Sequence, residues 1–436
     1  MAKRANPSLG MFRPAVAIAL LWAGCAWAQG EQQTYDTIRP QLPEQYEANP
    51  NAVTTLQSTM MGQAVEPAEE PGPAQGISAS LTAGIGYDDN VFRTERDTKD
   101  DSFWVVQPRV YLNGLAGKHS YVLGYEGDWA TYTEYSSEDF DDHRIFGDAT
   151  LDVSRKVDVQ LGAQYWWGHD PRGSLGNRIL VPGDLDTWQE YGLEGSVVIG
   201  REITRAQIVP SVELSGRRYT NNNQSIRDYD RQDYRLRGRY RFTDRLYGLA
   251  EGGYAVINHL DASNLLDRTE TDILAGVGWQ ATAKTSGEAM FGILNRDFED
   301  DPFQGSTTSP TWNIRIHWMP KPYSKVTLFT QRSSEENAGG VGSFLADTYG
   351  VLWRHAFSER LELDTGFDFT VAEYDSPRED KYYGFDIRLT YGLTRWLDVS
   401  GVYRYLGRQS NIPGLDYDDN AVLLELTAGF EHNLGL

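Results

Sequence analysis

Between Tyr234 and Phe242 the chain alternates without a slip: Tyr234, Leu236, Gly238, Tyr240 and Phe242 take turns with Arg235, Arg237, Arg239 and Arg241. Successive side chains of a β-strand point to opposite faces, so this stretch has one apolar and one cationic face. Wound as a helix, the same spacing scatters the arginines round the circumference and leaves no apolar stripe. Two settings suit such a strand. A soluble sandwich hides the apolar face under a second sheet. A transmembrane barrel turns that face to lipid and the polar one to an aqueous lumen.

The unit repeats. From Ile77 onward the alternation predicts eighteen strands, the first over 77–87 and the last over 420–436, with 309–319, 346–357, 382–393 and 397–407 among them. Leu361, Leu363, Thr365, Phe367, Phe369 and Val371 share one face, with Glu362, Asp364, Asp368 and Thr370 on the other. Residues 247–257 are ambiguous, because glycine and alanine occupy both registers. Every second connection is short, as at 242–246, 357–361 and 393–397, and the connections between them, such as 168–187, 297–309 and 406–419, are long and polar. Three short ones resemble each other: Phe-Thr-Asp-Arg-Leu, Phe-Ser-Glu-Arg-Leu and Leu-Thr-Arg-Trp-Leu. Short turns on one rim and long loops on the other are the habit of outer-membrane barrels, and an even strand count agrees. The expected fold is therefore all-β, an 18-stranded antiparallel barrel with short periplasmic turns and long extracellular loops. Trp166, Trp167, Trp188 and Trp312 fall near loop ends, and Trp318, Tyr323 and Trp396 near turns, where interfacial girdles need them.

Composition narrows the choice. Hydrophobic residues make up only 40% of the chain, too few for a helical membrane bundle, and beyond the N-terminus no apolar run nears the ~20 residues of a membrane helix. Residues 1–28 read as a secretory signal, with Lys3, Arg4 and Arg13 before an apolar stretch and Ala26-Trp27-Ala28 as the cleavage site. Its removal takes three positive charges from a chain of formal charge −22, leaving −25. The one cysteine, Cys25, lies within that segment; the box before it resembles a lipoprotein signal, although Trp22 fits that box poorly. Residues 29–76, rich in Gln, Glu, Pro and Ala, form a flexible periplasmic lead-in or a tether for a periplasmic partner. The barrel occupies 77–436.

Chemistry adds a lumen rather than a catalytic site. The sequence contains no nucleophile elbow, phosphate-cradling loop or close His/Cys/Glu ligand spacing, so it predicts no enzyme and no cofactor; nothing in it points to nucleic acid. Acidic runs sit in the long loops: Glu138-Asp139 with Asp141-Asp142, Asp297 with Glu299-Asp300-Asp301, and Asp416 with Asp418-Asp419. They serve as a solvated surface or as divalent-cation ligands that tie the rim to anionic lipopolysaccharide. The candidate lumen lining is Arg235, Arg237, Arg239, Arg241, Arg315, Arg354, Arg388 and Arg404, opposed by Asp364, Asp368, Asp386 and Asp398. Two accounts stand: mutual pairing that braces the wall, and a partly cationic track for an anionic chain.

At the first strand the chain reads Gly84-Ile85-Gly86-Tyr87-Asp88-Asp89-Asn90-Val91-Phe92-Arg93. With the eighteen-strand pattern and the repeated turns, this resembles the second putative β-barrel porin family, outer-membrane proteins encoded beside exopolysaccharide and capsule biosynthesis genes. The resemblance covers residues 77–436. It implies an outer-membrane porin of a Gram-negative bacterium that exports a polysaccharide delivered by a periplasmic export protein. Asp88, Asp89, Asn90 and Phe92 match the motif and bring no role with them. Leu436 departs from the aromatic ending of such barrels, Phe430 being the nearest ring. Uptake of sugars or small anions fits the same barrel, as does a non-conducting barrel that presents binding loops.

Overall fold

The computed structural model describes residues 76–174, 183–200, 204–260, 266–282, 284–298, 305–336, 343–374 and 377–433. The signal sequence with Cys25, the lead-in as far as residue 75, Glu299-Asp300-Asp301 and Leu436 lie outside them. The strands are β1 (Gly76–Asp88), β2 (Asp101–Ala116), β3 (His119–Tyr132), β4 (Phe140–Ser154), β5 (Val157–Asp170), β6 (Asp186–Ile199), β7 (Ala206–Tyr219), β8 (Tyr229–Thr243) and β9 (Leu246–His259). They continue as β10 (Arg268–Thr282), β11 (Thr285–Phe298), β12 (Ser306–Lys321), β13 (Ser324–Glu336), β14 (Ser343–Ala356), β15 (Leu361–Tyr374), β16 (Glu379–Gly392), β17 (Leu397–Ser410) and β18 (Tyr417–Asn433).

All belong to one 18-stranded antiparallel sheet in which each strand pairs with its sequence neighbours, and β18 returns to β1 to close the ring. Followed round once from Leu81, the pairing comes back to β1 about 22 residues out of step, a shear that tilts the strands by roughly 40°. At the usual spacing between strands such a ring is roughly 35 Å across, backbone to backbone. Closure leaves no unpaired strand edge, which is what lets a sheet stand in hydrocarbon.

The pleat sorts side chains to two sides. Leu123, Leu236, Ile273, Phe291 and Leu424 are more than half exposed, an arrangement that only a surrounding apolar medium stabilises. On the alternate positions sit the polar residues. Register resolves residues 247–257: Tyr247, Leu249, Glu251, Gly253, Ala255 and Ile257 face inward, and Leu246, Ala250, Tyr254 and Val256 outward. Several strands run further toward the long-loop rim than their alternation predicts. β12, β14, β16 and β18 each begin three residues earlier, and β17 ends three later. There Ser343, Phe344, Asp380, Tyr417 and Asp419 are buried, polar and apolar alike, so the periodic signal stops before the hydrogen bonds do.

The short turns share a device. Thr243 Oγ1 accepts from the Arg245 N–H at 3.2 Å, Ser358 Oγ from Arg360 at 3.2 Å, and Thr394 Oγ1 from Trp396 at 3.3 Å. The repeated Ser/Thr is therefore a turn former, satisfying an N–H that the strand has released. Between β2 and β3 the same job falls to Gly117, whose φ of +66° suits glycine.

Candidate functional site

On the inner wall, aromatic rings lie flat because glycine makes room. Phe103 crosses Gly86, Phe146 crosses Gly124, Tyr247 crosses Gly278, Phe329 crosses Gly350 and Trp188 crosses Gly168; each pair is directly opposed across two strands. A Cβ on any of these glycines would overlap the ring. In three of them an arginine from the strand on the ring's other side lies over it. Arg239 sits 4.1 Å from the Tyr247 centroid, Arg217 4.0 Å from Trp188, and Arg315 5.8 Å from Phe329. Glycine, ring and guanidinium thus form short stacks along the wall, and what they offer the lumen is a planar cation rather than a bare ring.

All twelve residues of the candidate lining fall on inward positions by register. Arg235 donates through Nη1 to Glu251 Oε1 at 2.8 Å and to Asp272 Oδ2 at 3.3 Å. Arg237 pairs with Glu251 at 3.5 Å and bonds Glu288, which also accepts from the Tyr247 hydroxyl at 2.9 Å. Arg239 stacks as described, and Arg241 continues the row toward the β8–β9 turn. Across the barrel, Arg354 pairs with Asp364 at 2.6 Å and Glu362 at 3.3 Å, and Arg388 with Glu425. Asp368 and Asp386 lie across Gly384 and Gly366, while Arg404 and Asp398 sit on β17.

The partners of the arginine row correct one expectation. Glu251, Asp272 and Glu288, on the neighbouring β9 to β11, hold Arg235 and Arg237; Asp364 pairs with Arg354 instead. Sequence reasoning missed these three carboxylates because the face of β9 was undecided and strand-to-strand register is not written in one strand. The wall as a whole is acidic. At inward positions of the described strands Asp and Glu outnumber Arg and Lys, and the excess is plain on β3 to β6. There Asp148 and Glu194 both meet the space above Gly162, and Glu194 stands directly opposite Glu213 of β7.

At the long-loop rim the connections are stitched together. Arg172 of the β5–β6 loop donates to Glu138 Oε2 at 2.6 Å, its backbone carbonyl accepts from Arg93 of the β1–β2 loop, and its guanidinium lies 5.3 Å from the Phe92 centroid. The Tyr417 hydroxyl donates to the Gly173 carbonyl at 3.0 Å. Beside them Asp170 accepts from Trp188 Nε1 at 2.9 Å, Arg227 at 2.7 Å and the Tyr219 hydroxyl at 3.1 Å. Burial works against the charge on Arg227, but Asp170 and Tyr219 outweigh it and hold the guanidinium above its ordinary pKa. Trp166 and Trp188 are therefore not girdle residues: they face inward, with ring centroids 5.1 Å apart, whereas Trp167, Trp318, Tyr323 and Trp396 are exposed on the outer side.

The acidic runs also have local duties, and Asp142 and Asp418 stand at the ends of β4 and β18 rather than in the loops where the sequence places them. Asp139 caps the Tyr132 N–H at 2.7 Å, Asp142 holds His169 at 2.9 Å, Asp416 accepts from the Ser410 N–H at 2.7 Å and Asp418 from Tyr405 at 2.6 Å. The motif at the end of β1 acts likewise. Asn90 Nδ2 bonds the carbonyls of Thr94 and Asp418 at 2.9 and 2.8 Å, and Asp89 takes both the backbone and side-chain N–H groups of Asn420.

A closed ring with an apolar outside and a charged, solvated inside is the build of a membrane channel. The family model described as putative beta-barrel porin 2 matches residues 76–430. The chain belongs to that family.

Porins are also what it is similar to among solved structures. These include OccK2 (OpdF) of Pseudomonas aeruginosa, at 12% identity over 82% of this chain and 98% of that one, with a TM-score of 0.45. A BenF-like porin from Pseudomonas fluorescens Pf-5 gives 11%, 81%, 99% and 0.45. OpdK of P. aeruginosa, solved with vanillate, gives 13%, 81%, 99% and 0.44. Comparison with curated proteins gives no match. As a porin of this family the protein is an outer-membrane β-barrel of the Gram-negative type.

Proposed function

We propose that this porin passes uncharged, hydroxyl-rich solutes, saccharides first among them, by passive diffusion. The acidic inner wall carries this reading. Carboxylates outnumber cations there, and Arg235 and Arg237 are already engaged by Glu251, Asp272 and Glu288. An anion on this path meets more carboxylate than guanidinium charge, so the wall argues against a track for anionic chains. Alternating carboxylates and guanidinium planes offer hydrogen bonds in both directions, which replace the water that a sugar hydroxyl sheds.

For direction we take export of an exopolysaccharide or capsular polysaccharide, handed over by a periplasmic export protein, with lipopolysaccharide around the outer rim. The resemblance of residues 84–93 to the polysaccharide-associated family supports it. A barrel this wide encloses an aqueous channel with room for a polymer chain. Vesicle swelling tests the cargo: neutral oligosaccharides should enter faster than anionic sugars of equal size, and the reverse order would sink the reading. Gene deletion tests the direction, since unchanged surface polymer would rule out export and leave uptake.

A further inference from the structure

The end of β1, the residue after it and the start of β18 bring three carboxylates together where the ring closes. Asp88, Asp89 and Asp419 each contribute one oxygen to a set lying within 4.8 Å of one another. Asp88 and Asp419 are almost wholly buried, at 2% and 1% exposed. Their hydrogen bonds leave the set unfinished. Asp88 Oδ1 accepts from the Asn90 N–H at 2.9 Å, and Asp89 is held by Asn420. Asp419 Oδ2 takes Arg93 Nε at 2.9 Å, but Asp419 Oδ1 is buried and accepts no hydrogen bond.

An ionised carboxylate oxygen buried without a donor is costly, and a second and third carboxylate nearby raise the cost. Arg93 Nε serves Oδ2 of Asp419, which leaves the buried Oδ1 for another partner. Two ligands on opposite sides of one Ca²⁺ sit about 5 Å apart, twice the usual metal–oxygen length, so oxygens in this set can reach a common ion. The donors are all hard oxygens, with no imidazole or thiolate among them, which favours Ca²⁺ over transition metals.

We propose that Asp88, Asp89 and Asp419 bind a divalent cation, Ca²⁺ by preference, which locks the seam between the first and last strands beneath the β1–β2 loop. Water fills the remaining coordination positions. The motif Asp88-Asp89-Asn90-Val91-Phe92-Arg93 then has a common purpose: two ligands, a clamp on β18 through Asn90, and a counter-ion in Arg93.

The test uses the full barrel in detergent, stripped with EDTA. Ca²⁺ should raise the thermal midpoint of the wild type, and Tb³⁺ should bind with tyrosine-sensitised luminescence that Ca²⁺ displaces. In Asp419→Asn the Ca²⁺ affinity should fall about 10-fold or more, whereas Asp416→Asn, in the loop that leads into β18 and outside the set, should respond as the wild type does. Should Asp419→Asn fail to fold, Asp89→Asn takes its place in the comparison. A wild-type midpoint indifferent to Ca²⁺ would overturn the proposal, as would a response equal in the wild type and the ligand variant, which would place the bound ions on the other loop acids.

Discussion

Arg237 of β8 reaches over β9 and β10 to the carboxylate of Glu288 on β11. The contact spans two intervening strands and shares its acid with Tyr247, so the row of arginines acts as a set of braces across the wall. Replacing both acids, Glu251→Gln with Glu288→Gln, leaves Arg235 and Arg237 short of counter-charge. The expected result is a channel whose anion-to-cation permeability ratio rises by roughly 2-fold or more in planar bilayers. Arg235→Ala with Arg237→Ala should shift reversal potentials the opposite way.

Glycine under a ring predicts a different failure. Gly350→Val places a branched side chain where Phe329 now lies, and Gly124→Val does the same under Phe146. The ring must swing into the lumen or the strands must part. Overpacking of this kind costs about 1–3 kcal/mol. Urea unfolding in lipid vesicles should show that loss, and single-channel records a smaller conductance.

The motif at the end of β1 should behave as a clasp. Asn90 makes two side-chain donations to carbonyls and accepts the Thr94 N–H at 3.1 Å. Asn90→Ala removes all three from a buried site, with an expected loss of about 2 kcal/mol. The heat-modifiable folded band on electrophoresis should convert to the unfolded form at a lower temperature.

Opposite faces of one strand should answer differently to charge. Ile273, near the middle of β10, points outward and is 60% exposed, while its neighbour Asp272 pairs with Arg235 inside. Ile273→Arg should cost about 2–4 kcal/mol of folding in the bilayer. Asp272→Asn should leave folding nearly intact and move ion selectivity toward anions. Equal costs at both positions would contradict the assignment of faces.

Which side a strand turns to lipid was legible from alternation alone everywhere but in β9, since hydrocarbon and water impose opposite demands on neighbouring residues. Leu236 and Arg235 could not exchange sides without failing both. The eighteen strands, the two rims and the inward placement of the arginines follow from that rule. Pairing did not. Whether Arg237 meets Asp364 or Glu288 depends on shear, a property of all eighteen registers together, and β9 with its glycines and alanines gave no local vote. Trp188 was misplaced for a related reason. A tryptophan near a strand end suits a girdle by composition, but its even-numbered position on β6 puts it inside, where Gly168 makes room and Asp170 takes its N–H.

The pairing of Thr82 with Thr427, whose hydroxyls meet at 2.8 Å although they stand 345 positions apart in the chain, fixes an order of events in biogenesis. The strand translated first waits for the one translated last, so no ribosome-bound or half-translocated chain can seal itself. Until β18 arrives, β1 keeps a naked row of amides, and closing so long a loop is slow. Until that pairing is made the sheet is an open ribbon, with an edge at each end and an apolar face that no closed wall yet backs.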